Sequence, residues 1–160
     1  MSAVSLRSEI SLRFEWLSGH DGVLETRDPL ASPIGKLLEC LTPKRRVTVV
    51  GLWELLAARE THLLLAWDGN QLAGMATLIP FHRIGQRGGW IEDVVVDPKV
   101  RRRHVGRRLM EELTRRAKEL QMSRLVLMSH AENGIAHSFY AAQGFNTERH
   151  VVFCKKLKKD

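Results

Sequence analysis

The segment Ile91–Gly106, IEDVVVDPKVRRRHVG, limits what this chain can fold into more than any other. Ile91 and the three valines Val94–Val96 read as a β-strand. Asp97-Pro98 stops it, because proline lacks an N–H donor and fixes φ. From Val105 a helical stripe begins, with Val105, Leu109, Leu113, Ala117 and Leu120 on one face and Met110 beside it. A strand that feeds a helix through a short turn is the first half of a β-α-β unit. The next apolar run, Arg124–Met128, then returns as a parallel strand through a right-handed crossover. Ligands of such sheets sit at the carboxyl ends of the strands. Here that end is crowded with Lys99, Arg101, Arg102, Arg103 and Arg107. It also meets the N–H groups and positive dipole end of a helix, so an anion site is expected.

The remaining elements fit around this unit. Ser11–Leu17 sets Leu12, Phe14 and Trp16 against Arg13 and Glu15, a strand alternation. Gly19–Ser32 reads as a loop, Pro33–Leu41 as a helix and Pro43–Arg46 as a break. Thr48 is an N-cap for a second helix with Val49, Leu52, Trp53 and Leu56 on one face. His62–Trp67 and Gln71–Phe81 form a hairpin about Asp68-Gly69-Asn70. Gln86–Gly89 reads as a loop before the strand Trp90–Val96. The long helix is expected to pair Glu111 with Arg115 and Glu112 with Arg116 on its polar face. Gly134–Gln143 reads as a helix stopped by Gly144, and His150–Leu157 as a last strand. The first eight residues read as a loose terminus and Lys155–Lys159 as a solvated tail. Neither repeat nor linker divides the chain, so one α/β domain with a mixed sheet is expected over residues 1–160.

Charge narrows the partner without naming it. Twenty-five Lys and Arg against 18 Asp and Glu give a net +7, which suits nucleic acid, a membrane surface or a phosphorylated cofactor. Glu111, Glu112 and Glu119 share the helix with the arginines and oppose a nucleic-acid backbone. Cys40 and Cys154 lack metal-type spacing and read as free thiols in a reducing compartment. No apolar run approaches the roughly 18 residues of a membrane span, and the N-terminus lacks a signal-peptide core. A cytoplasmic protein without a membrane or nucleic-acid partner is expected. His82, His130 and His137 could approach the cleft, but no histidine spacing argues for metal. The G-x-S-x-G elbow and the G-x-x-x-x-G-K-[ST] loop are both missing, against hydrolase and NTPase chemistry.

Two blocks carry a resemblance. Val94–Met110, VVVDPKVRRRHVGRRLM, is similar to V-x-P-x-x-[Q/R]-x-x-G-x-[G/A]-x-x-L. Asn133–Phe145, NGIAHSFYAAQGF, is similar to N-x-x-A-x-x-[FL]-Y-x-x-x-G-[FY]. In this order they resemble the GNAT superfamily, the general N-acetyltransferases. The resemblance implies a mixed sheet with splayed central parallel strands and acetyl-coenzyme A as cosubstrate. Arg101, Arg102, Arg103, His104, Val105, Gly106 and Arg107 would surround its pyrophosphate. Val94, Val95 and Val96 would pair by backbone with the pantetheine arm, as an added strand does. A backbone N–H near Val96 would polarise the thioester carbonyl. The neighbouring strand, ending at Ser129, would splay away, and Asn133 would help hold the arm. Tyr140, the chain's one tyrosine, is placed as the general acid for the leaving thiolate; its alternative is a core aromatic beside Phe139.

The acceptor amine must lose a proton, since an alkyl ammonium is below roughly 0.1% neutral at pH 7. Glu92 and Asp93 are the candidates, and the IEDVVV run resembles glucosamine-6-phosphate N-acetyltransferases and related small-molecule enzymes. On a regular strand they face opposite ways, so one meets the acceptor unless a bulge intervenes. His104 departs from the motif, which has glycine there. It is expected to take helical angles and point outward; a phosphate contact or a degraded site are the other readings. The expected reaction is acetyl transfer to the primary amine of a small molecule. The alternatives are a protein acceptor (N-terminus or lysine) and, from another class, a basic nucleic-acid-binding or non-catalytic coenzyme A-binding module. A homodimer through an exposed Trp90 side or the last strand is a further expectation.

Overall fold

In the computed structural model, residues 11–18, 28–42, 47–58, 60–147, 152–155 and 157 are described. The chain forms two compact units, Met1–Met128 and Ser129–Asp160. The first holds one sheet in the order β1 (Leu12–Ser18), β2 (His62–Asp68), β3 (Gln71–Arg83), β4 (Gln86–Val96) and β5 (Arg124–Leu127). The first four strands run antiparallel to their neighbours, and β4 pairs parallel to β5. The helices of this unit are α1 (Asp28–Leu41), α2 (Val49–Ala57) and α3 (Val105–Glu119). The crossover through α3 therefore forms as the apolar periodicity predicts.

Residues facing each other across a ladder share a face of the sheet. Leu63, Leu65, Met75 and Val95 share one face, packed with Ile34, Leu37 and Leu38 of α1 and Leu52 and Leu56 of α2. Leu64, Ala76, Leu78 and Ile91 lie on the opposite face, where α3 buries Val105, Leu109, Met110, Leu113 and Ala117. Each large apolar side chain so buried contributes roughly 1.5–3 kcal/mol. β1 also uses both faces. Trp67 donates its indole N–H to Glu15 at 2.8 Å under the Arg13 guanidinium. Phe14 and Trp16 lie under Arg108 and Arg116 of α3.

Three expectations are corrected. α1 starts at Asp28, inside the stretch that reads as a loop, and runs through Pro33. Asp28-Pro29 carries the same start signal as Ser32-Pro33 one turn earlier, and proline suits a first turn. Gln86–Gly89 is strand, because Ile84-Gly85, with Gly85 at φ 72°, already makes the turn. Gly88 and Gly89 are there for space: a Cβ on Gly88 would lie 2.4 Å from the Phe81 ring, and one on Gly89 2.8 Å from Leu78, Leu125 and Met122. On α3 the carboxylates pair differently, as Arg107–Glu111, Arg115–Glu112, Arg115–Glu119 and Arg116–Glu119.

Thr48 caps α2 as predicted, accepting from Gly51 N at 2.9 Å. In the second unit, α4 (Gly134–Ala142) ends at Gly144, φ 87°, with Phe145 N bonded to Tyr140 O at 3.1 Å. This is the glycine-terminated cap expected there. Of the predicted last strand, residues 152–155 and 157 are not in a strand, and His150, Val151 and Lys156 lie outside the described residues. The predicted loose terminus, most of the Gly19–Ser32 stretch, the Pro43–Arg46 break and most of the basic tail also lie outside them. Cys40 and Cys154 are free thiols.

Gly74 on β3 sets how closely α3 approaches the sheet. A Cβ there would lie 3.0 Å from Leu109 Cδ1 and from the Val95 carbonyl oxygen, and 3.2 Å from Val105 Cγ1. The carbonyl cannot retreat without moving β4. Gly74→Ala is expected to lower the unfolding free energy by about 1–3 kcal/mol in urea titration.

Candidate active site

β4 and β5 pair from Gly88↔Arg124 to Ile91↔Leu127 and no further. Beyond Ile91, β4 continues for five residues with β3 alone beside it among the described residues. The pairing ends because β5 itself stops at Leu127, short of the Ser129 end expected from sequence. An edge of this kind can take up an extended ligand arm by backbone hydrogen bonding.

Within the same stretch β4 is bulged. Thr77 faces Glu92 and Met75 faces Val95, so Asp93 and Val94 together oppose Ala76. Asp93 adopts φ 52°, the left-handed conformation that aspartate tolerates better than most residues. The bulge changes the alternation that would hold on a regular strand. Glu92 shares the α1 and α2 face with Thr77, and Trp90 lies on that face two residues earlier. The Trp90 indole N–H donates to Glu92 Oε1. Trp90 is thus half-buried and engaged, where an exposed surface residue is expected from sequence. Val95 is in the core, so only its backbone faces a ligand.

After Val96 the chain is fixed by Asp97. Its backbone N–H donates to Ala73 O at 2.9 Å, and its carboxylate accepts from Lys99 N at 2.8 Å. A short 3₁₀ turn, Pro98–Val100, follows. Arg102 and His104 both take φ 62°, and His104 is the N-cap of α3 with ψ 10°. The expectation of right-handed helical angles at His104 is therefore corrected: its backbone takes the conformation that explains glycine at this place in the motif. Its ring is exposed, and no side chain caps α3. The first-turn N–H groups of a helix have no intrahelical acceptor. Without a capping side chain they are open to an anion, and the adjoining left-handed residues curve the backbone in the way anion-binding loops do.

The cations there are not equivalent. Arg103 reaches back to Asp68 in the β2–β3 turn at 3.6 Å, and Arg107 pairs with Glu111 at 3.0 Å. Arg101 and Arg102 are exposed and have no ion-pair partner among the described residues. Val105 is buried, so it can offer a ligand its backbone alone. This set fits a pyrophosphate.

Ser129, Asn133 and Tyr140 belong to the second unit. Asn133 caps α4, its side-chain oxygen accepting from Ala136 N at 3.1 Å. Tyr140 sits edge-on to Phe139 and Phe145, with ring centres 5.2 and 6.0 Å away. His137 contacts the His130 carbonyl at 2.9 Å, and His82 pairs with Glu60 at 3.1 Å. Among the described residues no group of His, Cys, Asp and Glu is arranged to hold a metal, and no helix is long and apolar enough to cross a membrane. The Trp90–Glu92 bond escapes sequence reasoning, although the W-x-E spacing on one strand face is its signal.

Residues 36–145 match the model of the acetyltransferase (GNAT) family. The chain belongs to that family. It is an N-acetyltransferase, and its family uses acetyl-coenzyme A. None of the curated proteins matches it. Solved structures share the fold at low identity. The aminoglycoside acetyltransferase meta-AAC0020 from an uncultured soil metagenomic sample, in complex with sisomicin, superposes with a TM-score of 0.77 at 19% identity. That match covers 92% of this chain and 97% of that one. Glucosamine-6-phosphate N-acetyltransferase from Arabidopsis thaliana gives 0.70 at 21%, covering 92% and 99%. AAC(6')-Iy in complex with the bisubstrate analog CoA-S-monomethyl-acetylneamine gives 0.72 at 18%, covering 92% and 99%.

His104 offers a direct test of the loop. A left-handed non-glycine residue costs roughly 1–2 kcal/mol, offset in part by the greater freedom of glycine in the unfolded chain, about 0.4–1 kcal/mol. His104→Gly is expected to raise the unfolding free energy by about 0.5–1 kcal/mol, read as a higher urea midpoint at unchanged slope.

Proposed function

We propose that the protein moves the acetyl group of acetyl-coenzyme A to the primary amine of a small molecule of amino-sugar or aminoalkyl type. The observation that carries this reading is the continuity of the site. A bulged, acid-bearing strand with a half-open edge runs through one short turn into an uncapped, arginine-flanked helix N-terminus. The uncapped end and Arg101, Arg102 and Arg107 take the pyrophosphate, with His104 in the same loop. The edge Val94–Val96 takes the pantetheine arm, and Asn133 and Ser129 are further candidates for holding it, from their places in the family's motif order. Two fold neighbours named for aminoglycoside and glucosamine-6-phosphate acetylation support an amino-sugar acceptor. Residues 1–160 act as one catalytic domain in the cytoplasm.

Acetyl-coenzyme A supplies an acyl group activated as a thioester. The amine lone pair attacks the carbonyl carbon, whose oxygen is stabilised by a backbone N–H near Val96. The C–S bond breaks, and the departing thiolate takes a proton from Tyr140. Before the attack the acceptor's ammonium gives one proton to Glu92 or Asp93, directly or through water; the second proton, lost as the amide forms, goes to water, from which Tyr140 is restored.

The test is thiol release from acetyl-coenzyme A across a panel of amino sugars, sisomicin, aminoalkyl compounds and a peptide with a free N-terminus and a lysine. A small amine is expected to be turned over in preference to the peptide. Preference for the peptide would move the acceptor class to proteins, and failure to bind acetyl-coenzyme A would remove the reading altogether. Tyr140→Phe is expected to lower kcat by about 10²–10⁴, the range of general acid catalysis. A loss under about threefold, with chemistry limiting turnover, would remove Tyr140 from that role.

A further inference from the structure

Glu92 is held before any acceptor arrives. Its Oε1 accepts the indole N–H of Trp90, two residues back on the same strand face. Their ladder partners agree: Trp90 lies opposite Ile79 and Glu92 opposite Thr77. Thr77 is 1% exposed, and its hydroxyl has no hydrogen-bond partner. Among the described residues the indole is therefore the one donor seen on the Glu92 carboxylate. An indole N–H only donates, so it can orient a carboxylate but cannot take its proton. Hydrogen bonds to an ionised acceptor are also stronger and more directional than neutral ones. The bond sits one residue ahead of the bulge at Asp93–Val94, where β4 leaves β5.

We propose that Trp90 is a positioning residue of the acceptor site: its indole fixes Oε1 of Glu92, and Oε2 is presented to the ammonium group of the acceptor. The inference rests on the reading that Glu92 meets the acceptor amine. It gives a ring that touches no reacting atom a definite task, which is to remove the rotational freedom of the carboxylate before binding.

The experiment compares Trp90→Phe, Glu92→Gln and the double variant in steady-state kinetics, with the best amine from the panel above. Each single variant is expected to raise KM for the amine about tenfold while KM for acetyl-coenzyme A stays within about twofold, as expected for one charge-assisted bond. The double variant should be no worse than Glu92→Gln alone, because Trp90 acts through Glu92. In ¹⁵N spectra the Trp90 indole signal, one of four in the chain, should shift in Glu92→Gln and again when the amine is added to the wild type. If Glu92→Gln raises the amine KM and Trp90→Phe does not, the Trp90 inference is wrong and the Glu92 reading stands. The same follows if the two effects multiply, if both KM values rise together, or if the indole signal ignores Glu92→Gln. If Glu92→Gln leaves the amine KM unchanged, or no amine is turned over, the Glu92 reading falls and takes the inference with it. The spectra of the wild type and Glu92→Gln decide the matter even where Trp90→Phe does not fold.

Discussion

Between Met75 and Thr77, β4 holds one more residue than β3, and both helical layers depend on that offset. Ile91 packs on the α3 face with Leu78, while Val95 packs on the α1 and α2 face with Met75. On a regular strand the two would share a face, and one apolar layer would lose a buried partner. The same extra residue bends β4 at the place where pairing with β5 ends. One irregularity thus lets a single strand serve two cores. Gly74 complements it from β3, since the α3 side chains that carry the basic loop rest where its Cβ would be.

At the start of α3, backbone and side chains share the electrostatic work unequally. Exposed ion pairs contribute little to stability, about 0–1 kcal/mol, so Arg103–Asp68 and Arg107–Glu111 matter mainly for where they put the charges. Arg103 is drawn towards the β2–β3 turn, and Arg107 along its own helix. The fixed contribution comes from N–H groups that no side chain caps. The loop holds two left-handed residues, Arg102 and His104, without using glycine at either.

Most of this fold is legible in the sequence because its signals are periodic. The α3 stripe, the Asp68-Gly69-Asn70 turn, the Thr48 cap and the glycine stop at Gly144 all appear where residue type and spacing put them. Two of the misreadings share one cause. Gly88-Gly89 and Pro33 carry local signals for loop and helix start, but the ring of Phe81 and an earlier start at Asp28 override them. In the candidate site, the basic turn and the acid pair are visible from composition and order. The bulge is not, because register depends on how two strands meet and neither strand shows it alone. Nor is the Trp90–Glu92 bond, which needs both the face and the rotamer. The conformation of His104 lies between these cases: the departure from glycine is plain in the sequence, and its backbone angle is not.

The arginines laid on the aromatics of β1 and β2 also bear on how the molecule behaves in a crowd. Among the described residues β1 closes one side of the sheet, and an outer strand offers peptide groups to any passing strand. Arg13, Arg108 and Arg116 stand over Trp67, Phe14 and Trp16, with Glu15 beside Arg13 at 3.4 Å and Glu119 beside Arg116 at 3.5 Å, so charged groups flank both faces of that border. A second molecule approaching edge to edge would have to strip these charged groups of water before any backbone pairing could begin. Interactions between such exposed charges are screened by salt, so self-association along this border should respond to ionic strength.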